Sequence, residues 1–275
     1  DKNNFIGCSG AYKLENYKRP FRCWKRDGHQ DVNMSSAIAS SCDVFFYHLA
    51  KISGIDYMHD KLSKFGFGQK TFIDLYGEQV GLLPSREWKN QFRQSPWYPG
   101  ETLNIGIGQG YFLTTPLQLA NATSLLASGG ESITPHLFLK STNFKDKKVT
   151  EYNYENNKNS IEIDMDSLHI INESMWRVIY DRKVGTASHV KKIDGIEYAG
   201  KTGTAQVYNL DKGKTGKESL QDHALFISFA PFERPDIVVA VIIDNGGSGS
   251  AVAAPIARNI INFYFKNIKE QVALK

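Results

Sequence analysis

Three cysteines and a histidine crowd the first 42 residues: Cys8, Cys23, His29 and Cys42, with no cysteine in the remainder of the 275. As ligands, a set of three cysteines and one histidine closes a tetrahedral structural zinc site with no position left open. As thiols in an oxidising compartment they make one disulfide plus a spare, an awkward outcome for an odd count. Zinc would pin residues 1–32, which are polar, aromatic and basic without a sustained period. Lys25 or Arg22 could offset the surplus negative charge of three thiolates.

Two further groups bear chemistry. Ser40-Ser41-Cys42-Asp43 precedes an apolar helical pattern, where serine alone reads most simply as a helix cap. Lys201-Thr202-Gly203-Thr204 lies inside an alternating, strand-like run. Glycine in mid-strand costs stability unless something must approach the backbone closely. In a strand lining a cleft, Gly203 would leave room for a substrate and Lys201 would offer a cation to a carboxylate. The Thr204 amide could then point at a developing oxyanion. The alternative is a chance tripeptide on a surface strand, and a second copy, Lys214-Thr215-Gly216, stands in a polar turn-like segment. A glycine run, Gly106-Ile107-Gly108-Gln109-Gly110, followed by Thr114-Thr115-Pro116, reads as a loop feeding a helix.

The elements that would carry these groups follow from periodicity. Ala37, Ile38, Val44, Phe45, Leu49 and Ile52 have helical spacing and stop at Gly54, and a shorter helix fits Tyr57 to Phe65. Residues 66–110 are rich in loop-forming Pro and Gly. Pro116 opens a helix that Gly129 and Gly130 close. Residues 140–160 read as an exposed loop, Asp166 to Ile179 as a helix, and residues 252–266 as a closing helix. Between the last two, IEYAGKTGTAQVY, HALFISFAPF and DIVVAVIID read as three strands. Strands on short connections, packed by helices, predict an α+β fold with an antiparallel sheet.

Composition narrows the class. Hydrophobic residues at 41% and charged ones at 23% suit a globular enzyme-sized domain. A net charge of +4, spread rather than massed, argues against a nucleic-acid surface. No apolar run approaches the roughly 20 residues of a membrane helix, and the first residues do not resemble a signal peptide. The chain is expected to be part of something longer, with any anchor upstream.

Taken together and in this order, the groups resemble the penicillin-binding proteins, whose transpeptidase domain carries S-x-x-K, then S-x-N, then K-T-G. Ser41-Cys42-Asp43 matches the second motif with Asp for Asn, and Lys201-Thr202-Gly203 matches the third. The strings SSCDVFFYHLA, KFGFG, GLLPSREW, PWYPGETLNIGIGQGYFLTTPLQLANA, GTA, YAGKTGTAQ and DHALFISFAP are similar to the class B, monofunctional, rod-elongation type over almost the whole chain. No S-x-x-K precedes Ser41. Lys13 lies four residues after Ser9, and Ser188-His189-Val190-Lys191 fits the letters but follows the second motif. The resemblance therefore implies a nucleophile on an absent upstream helix and a chain that is inert by itself.

It further implies serine acyl transfer between D-Ala-D-Ala stem peptides, with Ser41 relaying a proton and Lys201, with Thr202 or Thr204, holding the terminal carboxylate. Asp43 can only accept where the family's amide also donates. β-Lactams, an elongation glycan polymerase and rod-complex proteins are the implied partners. The implied location is the periplasmic side of an inner-membrane anchor. Two rivals remain: Gly195 to Thr202 satisfies the spacing of a phosphate-binding loop, which would need a strand before it and a helix after it, and the missing nucleophile keeps open a non-enzymatic module that binds cell-wall peptides or scaffolds a complex.

Overall fold

The computed structural model describes residues 4–151, 158–206 and 221–269. Four short strands open the chain: β1 (Ile6–Cys8), β2 (Ala11–Tyr12), β3 (Phe21–Arg22) and β4 (Gln30–Val32). β1 pairs antiparallel with β4, and β2 with β3. The two ribbons cross where only glycine fits. A Cβ on Gly10 would sit 1.9 Å from the Arg26 carbonyl oxygen, and one on Gly28 would sit 2.0 Å from that of Cys8. This crossing brings Cys8, Cys23 and His29 to one place. The stretch without a sustained period, expected to be an ordered loop or extension, is thus a pair of miniature ribbons.

The helix expected from Ala37 to Gly54 is two helices. Asn33 caps α1 (Met34–Ser40) through a reciprocal box with Ser36, and Ser41 then turns left-handed at φ 54°, ψ 51°. Cys42 is extended and α2 (Asp43–Lys64) follows, broken again at Gly54 with φ 74°. Ser41 therefore ends one helix instead of capping the next with its side chain.

The loop-rich stretch 66–110 holds two short helices, α3 (Arg86–Arg93) and α4 (Pro99–Gly106). Each is too short for a clear period. A buried ion pair ties them: Lys89 Nζ lies 2.5 Å from Glu101 Oε1, donates to the Pro96 carbonyl at 2.7 Å and stands 4.5 Å from the Tyr98 ring centre. After α5 (Pro116–Ala127) come β5 (Glu131–Ile133), β6 (Lys140–Thr142), β7 (Val149–Glu151) and β8 (Lys158–Ser160), then α6 (Met165–Tyr180). β6 and β7 form an exposed ribbon within the segment expected to be a loop.

Three long strands carry the core: β9 (Ala199–Ala205), β10 (His223–Ala230) and β11 (Ile237–Ile243), antiparallel in the order β11-β10-β9. β9 is thus an edge among the described strands. α7 (Ala254–Phe263) follows, flanked by wide π-helical turns. Phe226, Tyr198, Val239 and Val241 pack against Val178 and Ile179 of α6, with Ala254, Ala257 and Ile261 of α7 in the same cluster. A second cluster of Ile38, Met175, Ala199 and Phe229 joins α1 and α6 to the sheet. Phe229 is fully buried, and burial of such a ring contributes about 2–3 kcal/mol. That cluster sets the distance from α1 to β9. Among the described residues no helix is long and apolar enough to cross a membrane.

Candidate active site and the adjoining cysteine cluster

Ser41 and Lys201, 160 positions apart in the chain, meet where the α1–α2 break faces the outer edge of β9: Lys201 Nζ donates to Ser41 Oγ. The same ammonium donates to the Thr202 carbonyl at 2.8 Å. Burial pushes the Lys201 amine down to about 8, while the nearby Asp43 carboxylate pulls the other way. Thr202 Oγ1 pairs with Thr186 Oγ1 at 3.0 Å, and Gln109 Nε2 donates to the Thr204 carbonyl at 2.9 Å. The edge of β9 is therefore bordered by the loop after α4 and by the loop after α6. Thr186 and Gln109 did not emerge from sequence as site residues. Their one local signal is glycine: Gly108 and Gly110 flank Gln109 with φ of 72° and 77°.

Gly203 lies close against its neighbours. A Cβ there would come 3.2 Å from Leu225 Cβ, and the backbone of Gly249 presses so close that its own Cβ would lie 2.3 Å from the Gly203 oxygen. Thr204 is exposed.

Asp43 begins α2 and accepts from the Trp24 amide at 2.8 Å. Burial raises its carboxyl to about 6 against that hydrogen bond. Trp24 also donates through indole Nε1 to the Ser40 and Ser41 carbonyls, at 3.1 and 2.8 Å. It is the third residue that sequence reading missed, because nothing in FRCWKRD marks it.

Behind Ser41 the three cysteines are free and buried. One ligand-type atom from each of Cys8, Cys23, His29 and Cys42 lies within 4.8 Å of the others. His29 Nδ1 stands 3.6 Å from Cys8 Sγ and 3.5 Å from Cys23 Sγ. A hydrogen bond from Cys42 and the amides of Lys25, Asp43 and Val44 draw the Cys23 thiol down to about 4. Cys42 is raised in turn, chiefly by that same pairing. The first-turn amides of α2 thus stabilise one thiolate in the cluster.

Other sequence candidates fall away. Lys201 and Thr202 sit within β9, which runs on as strand to Ala205 where a phosphate-binding loop would open a helix, so the phosphate-loop reading has no structural support. Ser188 to Lys191 lies in the turn before β9, where His189 Nε2 reaches the Ser250 carbonyl. Lys214-Thr215-Gly216 lies outside the described residues.

The penicillin binding protein transpeptidase domain matches residues 3–262. Peptidoglycan D,D-transpeptidase MrdA of Acinetobacter baumannii is 40% identical over 270 residues, which cover 96% of this chain and 39% of that protein. The Escherichia coli K12 protein of the same name is 34% identical over 266 residues, 95% of this chain and 41% of that one. The chain thus spans about two fifths of these relatives. Among solved structures, Pseudomonas aeruginosa PBP2 in complex with WCK 5153 superposes with a TM-score of 0.83 at 40% identity, covering 98% of this chain and 57% of that one. Helicobacter pylori PBP2 in its complex with MreC gives 0.78 at 30% identity, covering 97% and 46%. The α+β architecture, the order of the two motifs and the convergence of Ser41 on Lys201 agree with these likenesses: the chain belongs to the penicillin-binding protein transpeptidase family.

Proposed function

We propose that residues 1–275 are the greater part of the catalytic domain of a peptidoglycan D,D-transpeptidase acting in cell elongation. The observation that carries this is the Ser41–Lys201 contact across the edge of β9. A serine and its lysine base outside residues 1–275 supply the nucleophile. That serine attacks the carbonyl between two D-alanines; the C–N bond breaks, the terminal D-alanine leaves, and an ester remains. The amine of a neighbouring stem peptide then attacks the ester, forms the cross-linking amide and returns the serine hydroxyl.

This chain's residues bind and move protons. Because Lys201 donates to Ser41 Oγ, the Ser41 hydroxyl keeps its own proton to hand to the leaving amine. Lys201, charged below about pH 8, attracts the substrate's terminal carboxylate together with Thr202. The Thr204 amide supplies half of an oxyanion hole, and Gly203 keeps the strand flush against Gly249 beneath it. Asp43 holds the Trp24 amide, so its part is to orient the motif. β-Lactams, as acyl donors of similar shape, react at the same place. The intact protein works on the periplasmic side of an inner-membrane anchor beside a glycan polymerase; the solved complex of a Helicobacter pylori relative with MreC supports rod-complex partners.

The same reading includes a structural zinc ion on Cys8, Cys23, His29 and Cys42. Three lines support it: the donor set is soft and complete, its atoms converge without a disulfide, and one thiol is already driven toward thiolate. With all four positions taken by protein, zinc would brace the fold and would not act on substrate. Stoichiometric zinc in purified protein, with three thiols titrated after chelation and denaturation, is expected; a disulfide between any two cysteines removes the site.

The enzymatic reading is tested on the intact protein with a fluorescent penicillin. Ser41→Ala and Lys201→Ala should each slow acylation by about a hundredfold or more. Acylation of both variants at the wild-type rate would sink it.

A further inference from the structure

Ser41 occupies a backbone conformation that a non-glycine residue rarely adopts, φ 54° and ψ 51°. On the amide side the bend is held by α1 itself: Ser41 N donates to the Ile38 carbonyl and Cys42 N to that of Ala37, at 3.3 and 2.9 Å. The carbonyls of Ser40 and Ser41 have no further helical turn to accept from, because the helix ends there. A single side chain reaches both. Trp24 Nε1 donates to Ser41 O at 2.8 Å and to Ser40 O at 3.1 Å, while the Trp24 backbone amide donates to Asp43 Oδ2 at 2.8 Å. One residue thus grips three of the four positions from Ser40 to Asp43.

Burial does not explain Trp24, since it is 58% exposed. It stands instead at the end of a rigid lever. The preceding residue, Cys23, is fixed by its amide on the Gly10 carbonyl at 2.9 Å, and the indole meets the His29 ring edge-on with 5.4 Å between centres. An indole suits the task because it is a donor only, on a planar ring with two rotatable bonds.

We propose that Trp24 is a positioning residue for acyl transfer: its indole N–H holds the Ser40 and Ser41 carbonyls so that Ser41 Oγ stays presented to Lys201. The inference rests on the reading of Ser41 as the proton relay. Without the indole N–H the left-handed turn relaxes, and Ser41 Oγ spends less time on Lys201. Substrate would still bind through Lys201, Thr202 and Thr204, so the loss falls on the chemical step.

The experiment uses the intact protein with its nucleophile and a chromogenic β-lactam, separating the saturating acylation rate from the dissociation constant of the non-covalent complex. Trp24→Phe keeps a ring against His29 but has no N–H. The expected result is a fall of about tenfold in the saturating rate, the size of a lost hydrogen bond or two, with the dissociation constant and the metal content unchanged. Trp24→His, which restores a ring N–H, should recover part of the rate, and it also serves if the Phe variant fails to fold. An unchanged rate in Trp24→Phe overturns the proposal. So does an equal loss in the dissociation constant, which would make Trp24 a contact for the ligand, or a loss of metal, which would make it a support for His29. Wild-type protein that is never acylated overturns the transpeptidase reading itself, whereas wild-type acylation matched by Trp24→Phe overturns only the role of Trp24.

Discussion

Residues 4–33 contribute four strands of two or three residues each, whereas the main sheet contributes three strands of seven or eight. Ladders so short bury little apolar surface, and a two-stranded ribbon is marginal in water. The N-terminal stretch is held by the glycine crossing at Gly10 and Gly28 and by a small cluster in which Cys8, Cys23, Val32 and Cys42 pack with Ala37, Val44 and Phe45. The sheet needs neither: Phe226, Phe229, Val239 and Val241 are buried between helices. The two regions deliver the two halves of the site, Ser41 beside the first and Lys201 from the second. Ser41 is therefore placed jointly by α1, which packs onto α6 and the sheet, and by Trp24 beside the cysteine loop, whereas Lys201 lies on a strand of the main core.

The largest expected effect comes from breaking the apolar side. Phe229→Ala should lower unfolding free energy by about 3–5 kcal/mol in urea titration, because that ring clamps α1, α6 and the sheet together. A loss below about 1 kcal/mol would mean that the sheet does not depend on its core in the way the contrast requires.

Chelation of the proposed zinc should act on the other side alone. Amide exchange in β1 and β4 is expected to accelerate strongly while β10 keeps its protection, as separable units of one domain do. Equal loosening of β10 would erase the contrast.

Lys201 offers a finer probe, since its amine is lowered from 10.5 to about 8 by burial. In that window the unfolded chain binds the proton and the folded one does not, so raising the pH favours the folded state. Relative to Lys201→Met, the wild type should gain thermal stability as pH climbs from about 8 toward 10.5. Below that window the full cost of charging the buried amine is present. Parallel pH profiles for the two proteins would show that the amine is well solvated.

The smallest effect is Asn33→Ala. It removes the reciprocal cap with Ser36 and should cost about 1 kcal/mol. Because α1 is only seven residues long, its fraying would also be felt at Ser41. A denaturant midpoint shift without any change in acylation rate would uncouple the cap from the site.

Much of this protein was legible in one dimension because its signals are local. Pro116 and the pair Gly129-Gly130 bound α5, β-rich alternation marked β9, β10 and β11, and the order of Ser41-Cys42-Asp43 before Lys201-Thr202-Gly203 pointed to the chemistry. The four possible metal ligands could be counted, but their meeting could not be derived from the count. That meeting depends on two backbones crossing at Gly10 and Gly28. The break at Ser41 escaped periodicity because the apolar spacing runs on through it, and helix propensity cannot anticipate a carbonyl pair held by an indole from another segment. Thr186 and Gln109 escaped for the same reason: their partners, Thr202 and Thr204, lie 16 and 95 positions away. Residue types and their order settled which groups could react. The packing of α1 onto α6 and the sheet, together with the glycine crossing, decided which of them touch, since contact between distant segments is a property of the folded core and not of any local stretch of chain.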